Sequence, residues 1–266
     1  MGLSPCLVPL SATPLRFIAS LFAITLLVKL YDLHRAARLG LHLSLWSYLA
    51  YLPNGFWLVL RRAPSRPPRI SDLRSLGCRA PAAVLAVLLC GIAYQVNWSS
   101  VPFPLEHVLK VAVVTSSVVL MTNAVAAAYR LVGGVAIDFM RNPLAAPTPA
   151  DFWRRWNVPA QQFLNEYAFT PAGGPRRAAR ATLVTFGISG MVHEYVFGIA
   201  SGCVQGWQLL FFILQGVMVV ATMRIRPRGR ITLLWIAGTW VFNLTSSFLF
   251  FLSVNQVLPF YWMPDS

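Results

Sequence analysis

The run 178–200, AARATLVTFGISGMVHEYVFGIA, decides what kind of molecule this chain forms. It is long and apolar enough to cross a bilayer as a single helix, yet its second half carries His193 beside Glu194. A charged side chain at the centre of a transmembrane helix costs at least about 2.5–3.5 kcal/mol on insertion scales, so an ionisable pair there points to function. A polar-aromatic run, Asp151-Phe152-Trp153-Arg154-Arg155-Trp156-Asn157, ends 36 residues before His193.

Working outward, composition sets the class. The chain is 57% hydrophobic and only 11% charged, with a mean hydropathy of +0.61; soluble domains carry roughly 25% charged residues. Several apolar runs approach 20 residues, the length of a membrane-spanning helix. The reading is therefore an all-α, polytopic membrane protein forming one embedded domain over residues 1–266. The segment 1–14 lacks the charged start of a cleavable signal. The net charge of +14 is almost wholly arginine. These charges lie between spans rather than along one stripe, which marks topology, anionic lipid headgroups or a phosphorylated substrate, and not nucleic acid. Cys6, Cys78, Cys90 and Cys203 have no CxxC spacing and suggest neither a metal site nor a redox compartment.

Hydropathy predicts seven spans, at 14–33, 43–60, 80–97, 108–128, 178–200, 206–223 and 231–254. Between them, 61–79 carries six Arg, 129–180 seven and 224–230 four, whereas 98–107 and 201–205 carry no Lys or Arg. If each span crosses once, the basic connections share one side with the N-terminus, and the positive-inside bias makes that side cytoplasmic. Arg35 and Arg38, in the first hairpin, fit this arrangement least well. The Pro- and Arg-rich 61–79 reads as a surface loop along the headgroups. Preference for Arg over Lys suggests a GC-rich genome and a bacterial inner membrane before the endoplasmic reticulum. Asn97-Trp98-Ser99 is a formal glycosylation sequon close to the membrane.

The long basic connection contains its own structure. Thr148-Pro149-Ala150-Asp151 is a helix start, with a Thr cap, Pro in the first turn and an acidic residue three positions on. Trp153, Trp156, Ala160, Phe163 and Tyr167 then recur at helical spacing, as expected for an interfacial amphipathic helix. Pro159 should divide it, and Pro171-Ala172-Gly173-Gly174-Pro175 should end it.

Taken residue by residue, His193 reads either as a bundle histidine or as a general base, because a neutral imidazole in a narrow polar cavity accepts a proton well. An HExxH zinc site fails at Phe197, and Gly187-Ile188-Ser189-Gly190 is not GxSxG; Gly187, Ser189 and Gly190 instead suit close helix approach. Glu194 projects about 100° away from His193 on the helix, open to an ion pair with arginine or to a supporting role in the site. Asn157, two residues before Pro159, is a helix N-cap or an amide donor to a developing oxyanion. Trp153 and Trp156 are interfacial anchors or site walls, and Arg154 and Arg155 snorkel to headgroups or bind phosphate.

Together, the FW…WN run with its following Pro and the downstream Ser189-Gly190-Met191-Val192-His193-Glu194-Tyr195 resemble the membrane-bound O-acyltransferase (MBOAT) superfamily, in particular its wax-synthase-like branch. The specific likeness covers residues 148–200. It implies a helical core with a tunnel through the membrane, a catalytic His193 and an assisting Asn157. It further implies transfer of an acyl group from acyl-coenzyme A, as co-substrate without a cofactor, to a lipophilic alcohol. On that reading Trp153, Trp156, Arg154, Arg155 and Glu194 line or support the substrate site. Members usually carry more helices than this chain. The rival expectations are a transporter or proton relay using His193 and Glu194, for which symmetric broken helices are wanting, and an inactive lipid-binding relative.

Overall fold

The structure, a computed structural model, describes residues 2–62 and 67–261. Helix accounts for its regular structure, with no strand among the described residues. Five helices are long and apolar enough to cross a membrane: α1 (Thr13–Ala37), α3 (Arg69–Gln95), α4 (Phe103–Leu131), α7 (Ala178–Ser201) and α9 (Ile231–Asn255). Four shorter ones accompany them: α2 (Leu45–Tyr51), α5 (Pro149–Arg155), α6 (Val158–Leu164) and α8 (Trp207–Thr222). The polytopic all-α reading holds.

One expected span does not form. In place of a helix over 43–60 there is only α2, followed by non-helical chain. Pro53 and Gly55 stop the helix. The apolar residues of the run fold back instead, with Tyr51 and Leu60 packed against Ala36 and Leu33 near the end of α1. This changes the parity of the bundle. The described part of the connection from α1 to α3, with Arg35 and Arg38 at its start, now lies at the same end as the other basic loops.

The opening residues consequently sit at the opposite end from those loops, which corrects the expectation that they share a side. Phe17 of α1 meets Phe197 of α7 with ring centroids 5.1 Å apart, and the Tyr195 hydroxyl donates to the Gly2 carbonyl. At the other end of α1, the Tyr167 hydroxyl donates to Asp32 over 2.6 Å. The two helices are antiparallel. The predicted basic loop 61–79 is also revised: residues 63–66 lie outside the described ones, and from Arg69 onward the chain is already α3.

Helices α7 and α8 pack most closely where small residues allow it. A Cβ at Gly190 would lie 3.0–3.1 Å from Leu209 and Phe212, and one at Gly216 only 2.9 Å from Phe186. Gly187, by contrast, faces open space. Helix α8, at 16 residues, is about 24 Å long, shorter than the roughly 30 Å hydrocarbon core. Its start is therefore sunk along α7 rather than level with its end: Val204 packs at Gly198, and the chain descends beside α7 until α8 begins near Glu194.

Candidate active site

Sinking a helix start into the bundle creates a problem, because the first N–H groups of a helix have no partner within it. Glu194 solves it. Its Oε1 accepts from Gln205 N (2.9 Å) and Gly206 N (2.6 Å), and its Oε2 from Gln208 N (3.1 Å) and Leu209 N (3.3 Å). The ion pair with arginine expected for Glu194 does not form among the described residues; a carboxylate at the positive end of α8 satisfies donors and dipole together. Glu194→Ala should leave these N–H groups without a partner, at a cost of about 1–3 kcal/mol for each one that is shielded from water. The measurable outcome is loss of folded protein after detergent extraction, with Glu194→Asp retaining more than Glu194→Ala.

One residue earlier, the same helix aims His193 at the α7–α8 seam. Its Nδ1 lies 2.8 Å from the Ser189 carbonyl, one turn back. That carbonyl can only accept, so Nδ1 carries the proton and Nε2 the lone pair. No partner for Nε2 occurs among the described residues. The ring lies 4.3 Å from Phe212 and 6.1 Å from Phe250, centroid to centroid. His193 is thus a held imidazole with an unoccupied acceptor nitrogen inside an aromatic enclosure, 15 residues and about 22 Å along α7 from its basic end.

The upstream motif is built at that basic end and fixed by α4, α8 and α9. Asn123 of α4 clasps Met140 through both backbone groups, at 2.8 and 2.9 Å. Trp240 and Thr239 of α9 donate to the carbonyls of Leu144 and Pro147 (2.9 and 3.1 Å). Thr222 of α8 accepts from Ala150 N (3.2 Å). Thr148 caps α5 as its sequence suggests, accepting from Asp151 N at 3.1 Å. The split at Pro159 is present too, since α5 ends at Arg155 and α6 starts at Val158.

Asn157 sits in the break. Its backbone is left-handed (φ 43°), its Oδ1 caps α6 through Ala160 N (3.3 Å), and its N–H points at the Met140 sulfur (3.3 Å). The capping reading of Asn157 is therefore realised, while its Nδ2 has no hydrogen-bond partner among the described residues. Trp153 reaches inward: its Nε1 donates to Gln215 Oε1 (2.9 Å), and its ring lies 5.3 Å from Phe186 and 5.7 Å from Phe212. Trp156 instead stacks on Phe152 at 5.3 Å. Arg155 pairs with Asp151 (2.6 Å) on its own helix, whereas Arg154 faces outward with no ion pair among the described residues.

Phe212 is what joins the two motifs, with His193 on one side and Trp153 on the other. No hydrogen bond or ring contact links Asn157 directly to His193 among the described residues. Sequence reasoning also passed over buried polar residues within the spans, among them Lys29, Asp32, Lys110, Asn123, Gln208 and Gln215. The signal at His193, a polar side chain in an apolar helix, marks each of them as well.

Residues 82–254 match the profile of the MBOAT, membrane-bound O-acyltransferase family, a stretch containing α4 to α8, both motifs and nearly all of α9. The chain is also 24% identical over 107 residues to diacylglycerol O-acyltransferase 1-1 of Oryza sativa subsp. japonica, covering 40% of this chain and 20% of that protein. It thus aligns with about one fifth of that relative's length. With the family profile matched over more than half of its 266 residues, the chain belongs to the membrane-bound O-acyltransferase family.

Proposed function

We propose that this protein transfers an acyl group from acyl-coenzyme A to the hydroxyl of a lipophilic alcohol, with His193 as general base. The observation that carries the proposal is the fixed imidazole: Nδ1 held by the Ser189 carbonyl and Nε2 left open among aromatic rings. Nε2 takes the proton of the alcohol as its oxygen attacks the thioester carbonyl. The new C–O bond forms, the C–S bond breaks, and the departing thiolate recovers the proton from the imidazolium. No acyl-enzyme is required when both substrates are held together.

The phosphates of the donor stay at the basic end, where Arg154, Arg176 and Arg177 face outward; the bias of basic loops makes this the cytoplasmic side. The acyl chain lies among the helices, where burial contributes about 0.8 kcal/mol per methylene. A long-chain alcohol, as in a wax synthase, and a diacylglycerol, as named for the rice relative, both suit an apolar site. Purified protein given labelled acyl-coenzyme A with a mixture of alcohols should produce labelled ester, and the alcohol consumed identifies the acceptor. Absence of ester with every alcohol class would overturn the proposal.

Asn157 acts through Nδ2, as donor to the thioester oxygen or to the donor's amide-bearing arm. Asn157→Asp separates this from capping, because a carboxylate caps α6 as well as an amide but offers no N–H. The expected result is normal thermal stability with a turnover loss on the order of 100-fold, the scale of removing one oxyanion donor. Unchanged turnover would reduce Asn157 to a cap.

A further inference from the structure

The basic ends of α8 and α9 form an apolar groove that neither His193 nor Asn157 lines. Met218 and Thr222 of α8 and Trp235, Gly238, Thr239 and Phe242 of α9 line it, with a volume of about 390 Å³. Its hydroxyls are already engaged: Thr222 donates to the Met218 carbonyl (2.6 Å) and accepts from Ala150 N, and Thr239 donates to the Pro147 carbonyl (3.1 Å). The walls thus favour a hydrocarbon guest. Gly238 is open, with nothing within 4 Å of where a Cβ would stand. The flanking Leu234 and Val241 face outward, toward lipid.

The turn 223–230 adjoins the groove, because it joins two of its lining residues, Thr222 and Ile231. Arg224, Arg226, Arg228 and Arg230 all face outward there. Arg226 donates to the carbonyls of Met223 and Ile225, and none of the four pairs with a carboxylate among the described residues. No Asp or Glu occurs from 195 to 264.

We propose that this groove binds an anionic glycerophospholipid, with one acyl chain between α8 and α9 and its phosphate at the arginine turn. A chain fills apolar walls that otherwise lack van der Waals partners, and arginines beside a bilayer draw anionic headgroups. The side opening admits a lipid diffusing in the membrane plane. Because Thr222 and Thr239 also hold the segment leading into α5, an occupied groove steadies the helix that carries Trp153.

The test uses the whole chain, purified in a neutral detergent, with its melting temperature followed as phosphatidylglycerol or phosphatidylcholine of the same chain length is added. Phosphatidylglycerol should raise the melting temperature saturably, and phosphatidylcholine much less. Gly238→Leu, whose Cβ meets open space and whose side chain occupies the groove, should abolish the rise while leaving the lipid-free value unchanged. The double variant Arg224→Gln/Arg228→Gln should weaken phosphatidylglycerol binding about thirtyfold. Equal responses to the two lipids, or a full rise in Gly238→Leu, would overturn the proposal. So would displacement of the lipid by acyl-coenzyme A, which would give the groove to the acyl donor. The readout is stability, so its failure is distinct from a failure of the acyl-transfer reading.

Discussion

Replacing His193 with alanine is expected to eliminate acyl transfer while leaving an inserted, folded bundle. A positioned general base contributes typically 10²–10⁴-fold in rate, so ester formation should fall by at least about 100-fold. The structural loss is smaller. The Ser189 carbonyl that holds Nδ1 also accepts its ordinary helical bond, and no other hydrogen bond of the ring occurs among the described residues. The space vacated beside Phe212 is bordered by an aromatic cluster of Phe211, Phe212 and Phe250. Labelled-ester formation and a melting curve, measured on one preparation, separate the two effects. Turnover within about threefold of the parent would dismiss proton acceptance at this position, given the usual contribution of such a base. His193→Gln makes a useful companion, since it restores polarity and volume but accepts a proton poorly; activity there would point to hydrogen bonding alone.

What the sequence disclosed and what it hid follow from the range of the interactions. The helix starting after Thr148, the break at Pro159 and the use of Gly190 at a helix contact rest on caps, ring constraints and small side chains, all local, and each is where the residues placed it. The amphipathic stripe was only partly legible. Trp153 and Tyr167 do point inward, but toward Phe212 and Asp32, partners separated by dozens of residues and invisible to periodicity. The segment 43–60 misled for a related reason. Its apolarity matched a span, whereas Pro53 and Gly55 and the buried polar groups of α1 decided otherwise. Glu194 shows the limit most clearly. Its position left it open to an ion pair with arginine or to a supporting role in the site, yet the side chain turns toward the start of the next helix, and only the sunken position of α8 explains why.

Those buried polar groups of α1 lead to the second large effect, expected for Asp32→Ala. Asp32 is fully buried and gathers three donors. Its Oδ1 accepts from the Tyr167 hydroxyl (2.6 Å), and its Oδ2 from the Tyr51 hydroxyl (2.7 Å) and Leu60 N (2.9 Å). Burial and then the bond to Asp32 push the Tyr167 phenol up to about 12, and the Tyr51 phenol rises for the same reasons, so both remain protonated donors at neutral pH. Lys29, also fully buried and one turn from Asp32 on α1, donates to the Trp57 carbonyl and lies 3.6 Å above the Tyr51 ring. Truncating Asp32 orphans three donors and strands this cation, a change that typically costs about 3–5 kcal/mol or more. Against a total stability of about 5–15 kcal/mol, most of the folded population should be lost on extraction. The double variant Asp32→Ala/Lys29→Met supplies the control, because removing the stranded cation should recover part of the loss. Equal yields of the single and double variants would show that Lys29 does not depend on Asp32. A single variant as stable as the parent would mean that Asp32 does not hold the folded-back 43–60 segment and Tyr167 against α1.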